Sequence, residues 1–495
     1  MNKLAKSNST LRLSSRRIVI FLGVSALVAI LIQFMLGVSL PIIMLAMIII
    51  ALGLLSFLAF GAYNIGSWLA LFYMLGNVLV ALFAKTLMGQ SLDSHLYAPL
   101  DSFLVLTITT SALFAALIIA RYVKLGRPLL RPTHNPKALS WLSWGSFVFS
   151  VVSWFINQYF QGPEGTGFGG FAVFRDLILM AVIARTALLI INNERRYAID
   201  GKLAVILIVG VFLGLLSSSK TLAAYPVVSY FATLLFYHRG ISLRHVTLLV
   251  VALVFFVIVL VPMVQTWRYL GQERMTVPER IELIRNGSEA VLTGRKFKYY
   301  KQLAVIPFRG GYYNYFGGNG RGQALLGRYA SVQQIDPVIF QVNRQGAIGG
   351  SVVWPAFTRI LPRELYLNKS KYIEGYHILV KLDLINPVGG KYPDVPIAAQ
   401  VYAGYGMMGV LLIPFITFTG FILALKKVGW NLYRNVYAIF VFCDFIIVYS
   451  NDADLNAYWG FVLRSLPLFI LIFWVLDRFS RIYWRRRLLL QPKKI

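Results

Sequence analysis

Residues 18–60 read IVIFLGVSALVAILIQFMLGVSLPIIMLAMIIIALGLLSFLAF, 43 residues without one charged side chain. A hydrocarbon core about 30 Å thick needs about 20 mostly apolar helical residues to cross it. The stretch therefore holds two membrane spans, 18–36 and 39–60. Working outward, the same rule gives further spans near 66–84, 102–120, 139–159, 171–191, 203–218, 221–237, 246–264, 398–425, 435–450 and 457–476, about twelve in all. The two short spans at 203–218 and 221–237 are joined by a tight turn and read either as a hairpin or as one broken helix. Composition agrees across the 495 residues: 58% are hydrophobic, 14% charged, and the mean hydropathy is +0.68. An ordinary soluble domain carries about 25% charged residues, so that class is excluded. A disulfide scaffold is excluded too, because Cys443 is the single cysteine. The expected fold is an all-α polytopic membrane protein.

The first span follows Lys3, Lys6, Arg12, Arg16 and Arg17, a basic stretch that would also suit a signal peptide. Its apolar run is longer than a signal core and no small-residue cleavage site closes it, so it reads as a retained anchor. Lysine and arginine in short loops set orientation. They fall in the tail before the first span, in 121–138, 192–202, 238–245 and 426–434, and in the C-terminal Arg485, Arg486, Arg487, Lys493 and Lys494. The alternate loops 85–101, 160–170 and 451–456 hold Lys85 as their single base. Every basic short loop thus belongs to one side, which places both termini in the cytoplasm.

Three regions follow: a membrane region 1–264 with nine spans, a loop 265–397 between spans nine and ten on the non-cytoplasmic side, and a membrane region 398–495. The loop carries 18 Lys and Arg against nine Asp and Glu. Long loops translocate regardless of charge, so topology does not explain this excess. A basic surface there attracts anionic headgroups, a pyrophosphate or an acidic glycan; a solvated basic surface with no ligand is the plain alternative. The loop reads as partly helical. Thr276 and Glu279 form a capping box with Pro278 in the first turn. Residues 321–340 read as a second helix, with Arg321 and Arg328 on one face. Between them, KFKYYKQLAVIPFRGGYYNY at 296–315 interleaves rings with cations and breaks into GGNGRG at 317–322. That glycine run lacks the spacing of a phosphate-binding loop, and nothing in the chain points to nucleotide or nucleic acid.

Ionisable residues inside spans are functional candidates because burying them is costly. Arg175, Asp176, Asp444 and Arg464 lie toward the outer side by their place in the spans, and Lys220 sits at the short hairpin. Arg185 lies deeper, toward the cytoplasmic end. The outward grouping suits a cavity opening to the outer leaflet more than a transport path, whose coupling groups sit near the midplane. Snorkelling or structural pairing of Arg175 and Asp444 is the competing reading.

The stretch 361–412 sharpens this picture. It reads LPRELYLNKS at 361–370 and KYPDVPIAAQVYAGYGMMGVLL at 391–412. This pattern resembles the bacterial O-antigen and oligosaccharide repeat-unit polymerases, the Wzy-like proteins. In that family the loop closes with a Pro-Arg…Lys pattern, matched here by Pro362, Arg363 and Lys369. Glu-x-Tyr-x-Asn-Phe-Gly-x-x-Gly then opens the next span, matched by Tyr402, Gly406 and Gly409. Two departures stand out: Gln400 occupies the glutamate position, and Gly404 and Tyr405 replace Asn-Phe. Arg309, eleven residues before Gly320, fits a further pattern of the family. LLSSSKT at 215–221 looks like its small-residue hairpin ending in a cation.

The resemblance implies a glycosyltransferase at the periplasmic face of the bacterial inner membrane. It would join polyprenyl-pyrophosphate-linked oligosaccharide repeat units, donor to acceptor, for O-antigen, capsule or exopolysaccharide. Arginine forks suit a diphosphate leaving group, and the candidates are Arg309, Arg328 and Arg363, followed by Arg321, Arg175, Arg464, Lys220 and Lys369. Because glutamine cannot act as a base, Asp394 is the leading base, with Asp452 or His377 behind it. Tyr402, Tyr405 and His377 complete the substrate-binding set. No metal or other cofactor is expected, since the loop has no D-x-D and the histidines are scattered. The family also implies a chain-length regulator and a flippase as partners. Two rivals remain. A ligase attaching glycan to lipid A core or protein would rely on a loop histidine, and this loop holds only His377, which weighs against that reading. A flippase would show charges through both leaflets and small loops.

Overall fold

The computed structural model describes residues 14–159, 173–193, 199–217, 219–237, 315–316, 330–354, 374–384, 395–447 and 453–489, with isolated positions between 247 and 282. Within them the chain is helical and holds no strand. Among the described residues, seven helices are long and apolar enough to cross a membrane: α1 (Ser15–Met35), α2 (Leu40–Phe60), α3 (Ile65–Leu87), α4 (Pro99–Tyr122), α5 (Pro136–Tyr159), α11 (Ile397–Val428) and α13 (Leu455–Phe479). Between them run the shorter α6 (Leu177–Asn193), α7 (Gly201–Leu216), α8 (Lys220–Tyr237) and α12 (Val436–Ile446). The expected spans 171–191, 203–218, 221–237 and 435–450 correspond to these four, and the ninth, 246–264, lies outside the described residues. Two further helices, α9 (Val332–Gln345) and α10 (Glu374–Lys381), belong to the long loop.

Helix ends meet at two faces. At one, the Ala62 N–H donates to Ser15 Oγ, the Ile65 N–H to Trp430 O, the Leu432 N–H to Tyr63 O and the Arg434 N–H to Phe236 O. The basic segments 121–131 and 426–434 meet on this face. Lys426 Nζ donates to the Ala120 and Val123 carbonyls, and Lys427 Nζ to Leu125 O at 3.0 Å. The two lysines thereby satisfy carbonyls at and beyond the C-terminus of α4, where a helix dipole favours cations. Part of the positive charge in these loops is therefore structural.

The opposite face carries the described parts of the long loop. Gln33, an amide inside the first span, reaches across from α1 there. Its Nε2 donates to Thr86 Oγ1 and Gln90 O, each at 3.0 Å, and its Oε1 accepts from the Leu92 N–H at 2.7 Å. Lys85 is fully buried at the end of α3. Its Nζ donates to the oxygens of Ser94 and lies 4.2 Å from the Tyr315 ring centre. The Tyr315 hydroxyl donates to Leu92 O at 2.7 Å.

Helix α9 begins at Val332 and covers the end of the helix expected over 321–340, of which 321–329 lie outside the described residues. It runs through Pro337 to Gln345 and stops at Gly346, whose φ is +88°. Its first half is buried against α4 and α11. Asp336 binds the N-terminus of α4: its carboxylate accepts from the Tyr97 N–H (2.7 Å), the Ala98 N–H (2.8 Å) and Ser102 Oγ (3.0 Å). These are donors a helix start leaves unpaired. The capping-box segment at 276–285, the aromatic-cationic stretch 296–314 and GGNGRG lie outside the described residues.

Candidate functional site

Two constellations form on the loop-bearing face. The first lies where α5, the turn leading into α6, and the α7–α8 pair converge. Residues 203–237 form a helical hairpin, which decides between the two readings of that segment. A side-chain carbon on Gly214 would stand 2.3 Å from the Ala223 backbone nitrogen, and one on Gly210 would stand 2.7 Å from Pro226. Only glycine lets α7 and α8 approach so closely. Trp154 of α5 pins the hairpin, its Nε1 donating to Ser217 Oγ at 2.7 Å.

Arg175 sits on the 3-10 turn Val173–Asp176 that precedes α6. It lines a small half-open cleft, with room for little more than one water molecule, together with Ser150 and Trp154, Gly210 and Gly214 of α7, and Leu222 of α8. Ser150 Oγ donates to the Arg175 carbonyl at 2.7 Å and fixes that turn on α5. Next to Arg175, Asp176 interacts electrostatically with Arg175 and with Asp444. Asp444 is buried in a π-helical turn of α12 at Phe442–Ile446. Two carboxyls and one guanidinium are thus gathered from two separate stretches of chain. Arg185, the deeper cation, is accounted for by Asp200, to which it is ion-paired. Asp200 also accepts from the Leu203 N–H as the N-cap of α7. Burial works against its charge, yet the bonds from Arg185 and Leu203 outweigh it and hold the carboxyl below its ordinary range.

The second constellation is the start of α11, where the stretch resembling the polymerase motif lies. This helix is broken at Gly406, whose φ of 60° and ψ of −147° are non-helical. Such a backbone is open to glycine almost alone. The loop binds just before the break: the Ile348 N–H donates to Ala403 O (2.8 Å) and the Gly349 N–H to Gly404 O (2.9 Å). Gly409 is needed for the same bend, because a side-chain carbon there would lie 2.5 Å from Val401 O. Tyr402 is largely buried and donates to Asn343 Oδ1 at 2.6 Å, while Asn343 Nδ2 donates to Asp101. Tyr405 is exposed, with its hydroxyl near Gly350.

Gln400, at the position of the family's glutamate, is fully buried and joins three segments. Its Nε2 donates to Val352 O at 3.3 Å and its Oε1 accepts from the Leu455 N–H, at the start of α13, at 2.8 Å.

Of the other candidates, Lys220 is the first residue of α8. His377 is half-buried on α10, which packs on α11. Arg464 is exposed on a π-helical turn, Phe461–Ser465, and does not line the cleft. Asp394, Arg363, Arg309, Arg328, Arg321, Lys369 and Asp452 lie outside the described residues. Sequence reasoning passed over Asp336, Gln33 and the fixed role of Lys85. Their signals were an acid within the apolar face of 332–342, an amide within an apolar span, and a lone base on the base-poor side. Among the described residues, no three His, Cys, Asp or Glu side chains converge as metal ligands would.

The chain matches no protein-family model, no curated protein and no solved structure.

Proposed function

We propose that this protein is a membrane-embedded glycosyltransferase that polymerises polyprenyl-pyrophosphate-linked oligosaccharide repeat units. In this reading the chain crosses the bacterial inner membrane about twelve times with both termini in the cytoplasm, and the loop-bearing face is periplasmic. The observation that carries the reading is the convergence on one face of a cationic cleft around Arg175, the broken start of α11, and the basic loop docked through α9. The motif resemblance at 361–412 supplies the chemistry. An acceptor hydroxyl attacks the anomeric carbon of the donor chain, the new glycosidic bond forms, and polyprenyl pyrophosphate leaves with the bonding electron pair. Asp394 takes the hydroxyl proton. Arg309, Arg328 and Arg363 hold the charge that builds on the diphosphate, which fixed guanidinium groups stabilise without reorganising. Tyr402 shapes the acceptor side through Asn343, and Tyr405 offers an exposed ring.

The test is deletion of the gene, followed by gel analysis of surface polysaccharide and lipid-linked intermediates. Single repeat units should accumulate, and long chains should return with the wild type but not with Arg363→Ala. Full-length polymer left on its lipid carrier would point to a ligase. Repeat units trapped on the cytoplasmic side would point to a flippase.

A further inference from the structure

Helix α9 reaches deeper into the molecule than a loop lying on the membrane surface would. At its start the Ser331 N–H donates to Gly76 O at 2.9 Å. Gly76 stands midway along α3 (Ile65–Leu87), a helix long and apolar enough to cross a membrane. The foot of α9 is therefore near mid-membrane, and Ala330, Ser331 and Val332 are wholly buried there. The acceptor carbonyl belongs to the π-helical turn Leu75–Leu79, whose i→i+5 pairing replaces the regular ladder. Two amides flank this bond. Asn77 follows Gly76 in α3, and Gln333 lies two residues beyond Ser331; they are 1% and 2% exposed. Among the described residues, Asn77 Nδ2 and both ends of the Gln333 amide have no hydrogen-bond partner. Pro337, inside α9, has no N–H to return to the Gln333 carbonyl one turn back. The buried Tyr73 hydroxyl interacts with the Asn77 and Thr109 side chains, so the polar patch runs on to α4.

Polar groups left unmade are costly inside a protein, and more so at the depth of hydrocarbon, where no bulk water reaches them. The unmade groups here are of both kinds. Asn77 Nδ2 and Gln333 Nε2 donate, whereas Gln333 Oε1 and the Gln333 carbonyl accept. An anion would suit the first pair and be repelled by the second, and a cation would do the reverse. Water serves both. We propose that ordered water is bound between the foot of α9 and the π-helical turn of α3, as a buried hydrated seat for the loop at mid-membrane. The water bridges loop and span through the very groups that the protein leaves unpaired. The inference rests on these two segments and goes beyond the polymerase reading, on which it does not depend.

The test uses the purified full-length chain in detergent and two near-isosteric variants, Asn77→Leu and Gln333→Met. In a water-filled seat each variant removes one partner of the water and strands the others, so the melting temperature should fall by several degrees. The double variant should lose less than the two single losses together, because both amides share one cluster. Groups that merely lack partners give the opposite sign: an apolar replacement relieves their desolvation cost, and the melting temperature holds or rises. As a direct readout, a density map of the wild type fine enough to show water should hold a peak about 3 Å from Asn77 Nδ2 or from the Gln333 amide. Unchanged or raised melting temperatures in both variants, fully additive losses, or a map with an ion, a protein atom or no peak in the seat would each overturn the proposal.

Discussion

Gln400 and Asp336 carry the contacts that hold the loop to the spans. Both ends of the Gln400 amide are committed, one donating to Val352 O and one accepting at the start of α13. A carboxylate at this position keeps the acceptor but turns an oxygen toward a carbonyl. Gln400→Glu should therefore cost about 1–3 kcal/mol, the usual penalty for leaving a buried partner unmade. The expected result is a lower melting temperature in detergent; an unchanged one would remove the clamp role. For Asp336, burial pushes the carboxyl above the usual carboxylate range, against the hydrogen bonds from Tyr97, Ala98 and Ser102 that pull it down. The folded state then holds the proton more tightly than the unfolded chain. Stability from this group is full below the unfolded value and is lost as pH rises through the shifted one. Melting temperature should fall over that interval. Asp336→Asn should abolish that part of the slope, at a cost of about 1–3 kcal/mol for the N–H left facing an amide NH₂; a slope that persists would contradict this. Neither role was legible in the sequence. Asp336 and Tyr97 are 239 residues apart, and hydropathy carries no trace of so distant a pairing.

Helices that cross a membrane are the most readable elements, because an apolar run of the right length is a local property of the chain. The starts and ends of α1 through α5 and of α11 accordingly lie within a few residues of the expected spans. Breaks inside helices are less readable. The break in α11 falls on a glycine of the motif, yet the stretch reads as one continuous span because the freed carbonyls of Ala403 and Gly404 are paired by the loop. The π-helical turns at Leu75–Leu79, Phe442–Ile446 and Phe461–Ser465 left no signal either, although they carry Asn77, Asp444 and Arg464. Gly406→Ala tests the break directly. With φ at 60° and ψ at −147°, a side-chain carbon should cost on the order of 1–3 kcal/mol and loosen the loop from α11. Faster proteolysis of the 346–354 segment in the variant is the expected result, and wild-type protection would contradict it.

At the scale of the whole molecule, the basic segments 121–131 and 426–434 lie on one face and the described parts of the long loop on the other. The gathering of Arg175, Asp176 and Asp444 into one neighbourhood required the fold. Asp444 is distant in sequence from the adjacent Arg175 and Asp176, and only their rarity within apolar surroundings marked them. The assignments made from the motif, Asp394, Arg363 and Arg309 above all, rest on sequence, and these residues lie outside the described ones. The central claim is polymerisation by this chain itself. Purified protein reconstituted in liposomes and supplied only with polyprenyl-pyrophosphate-linked repeat units should yield a ladder of multiples, with one polyprenyl pyrophosphate released per linkage formed. Repeat units that stay single under those conditions, with folded protein and accessible substrate, would contradict the account.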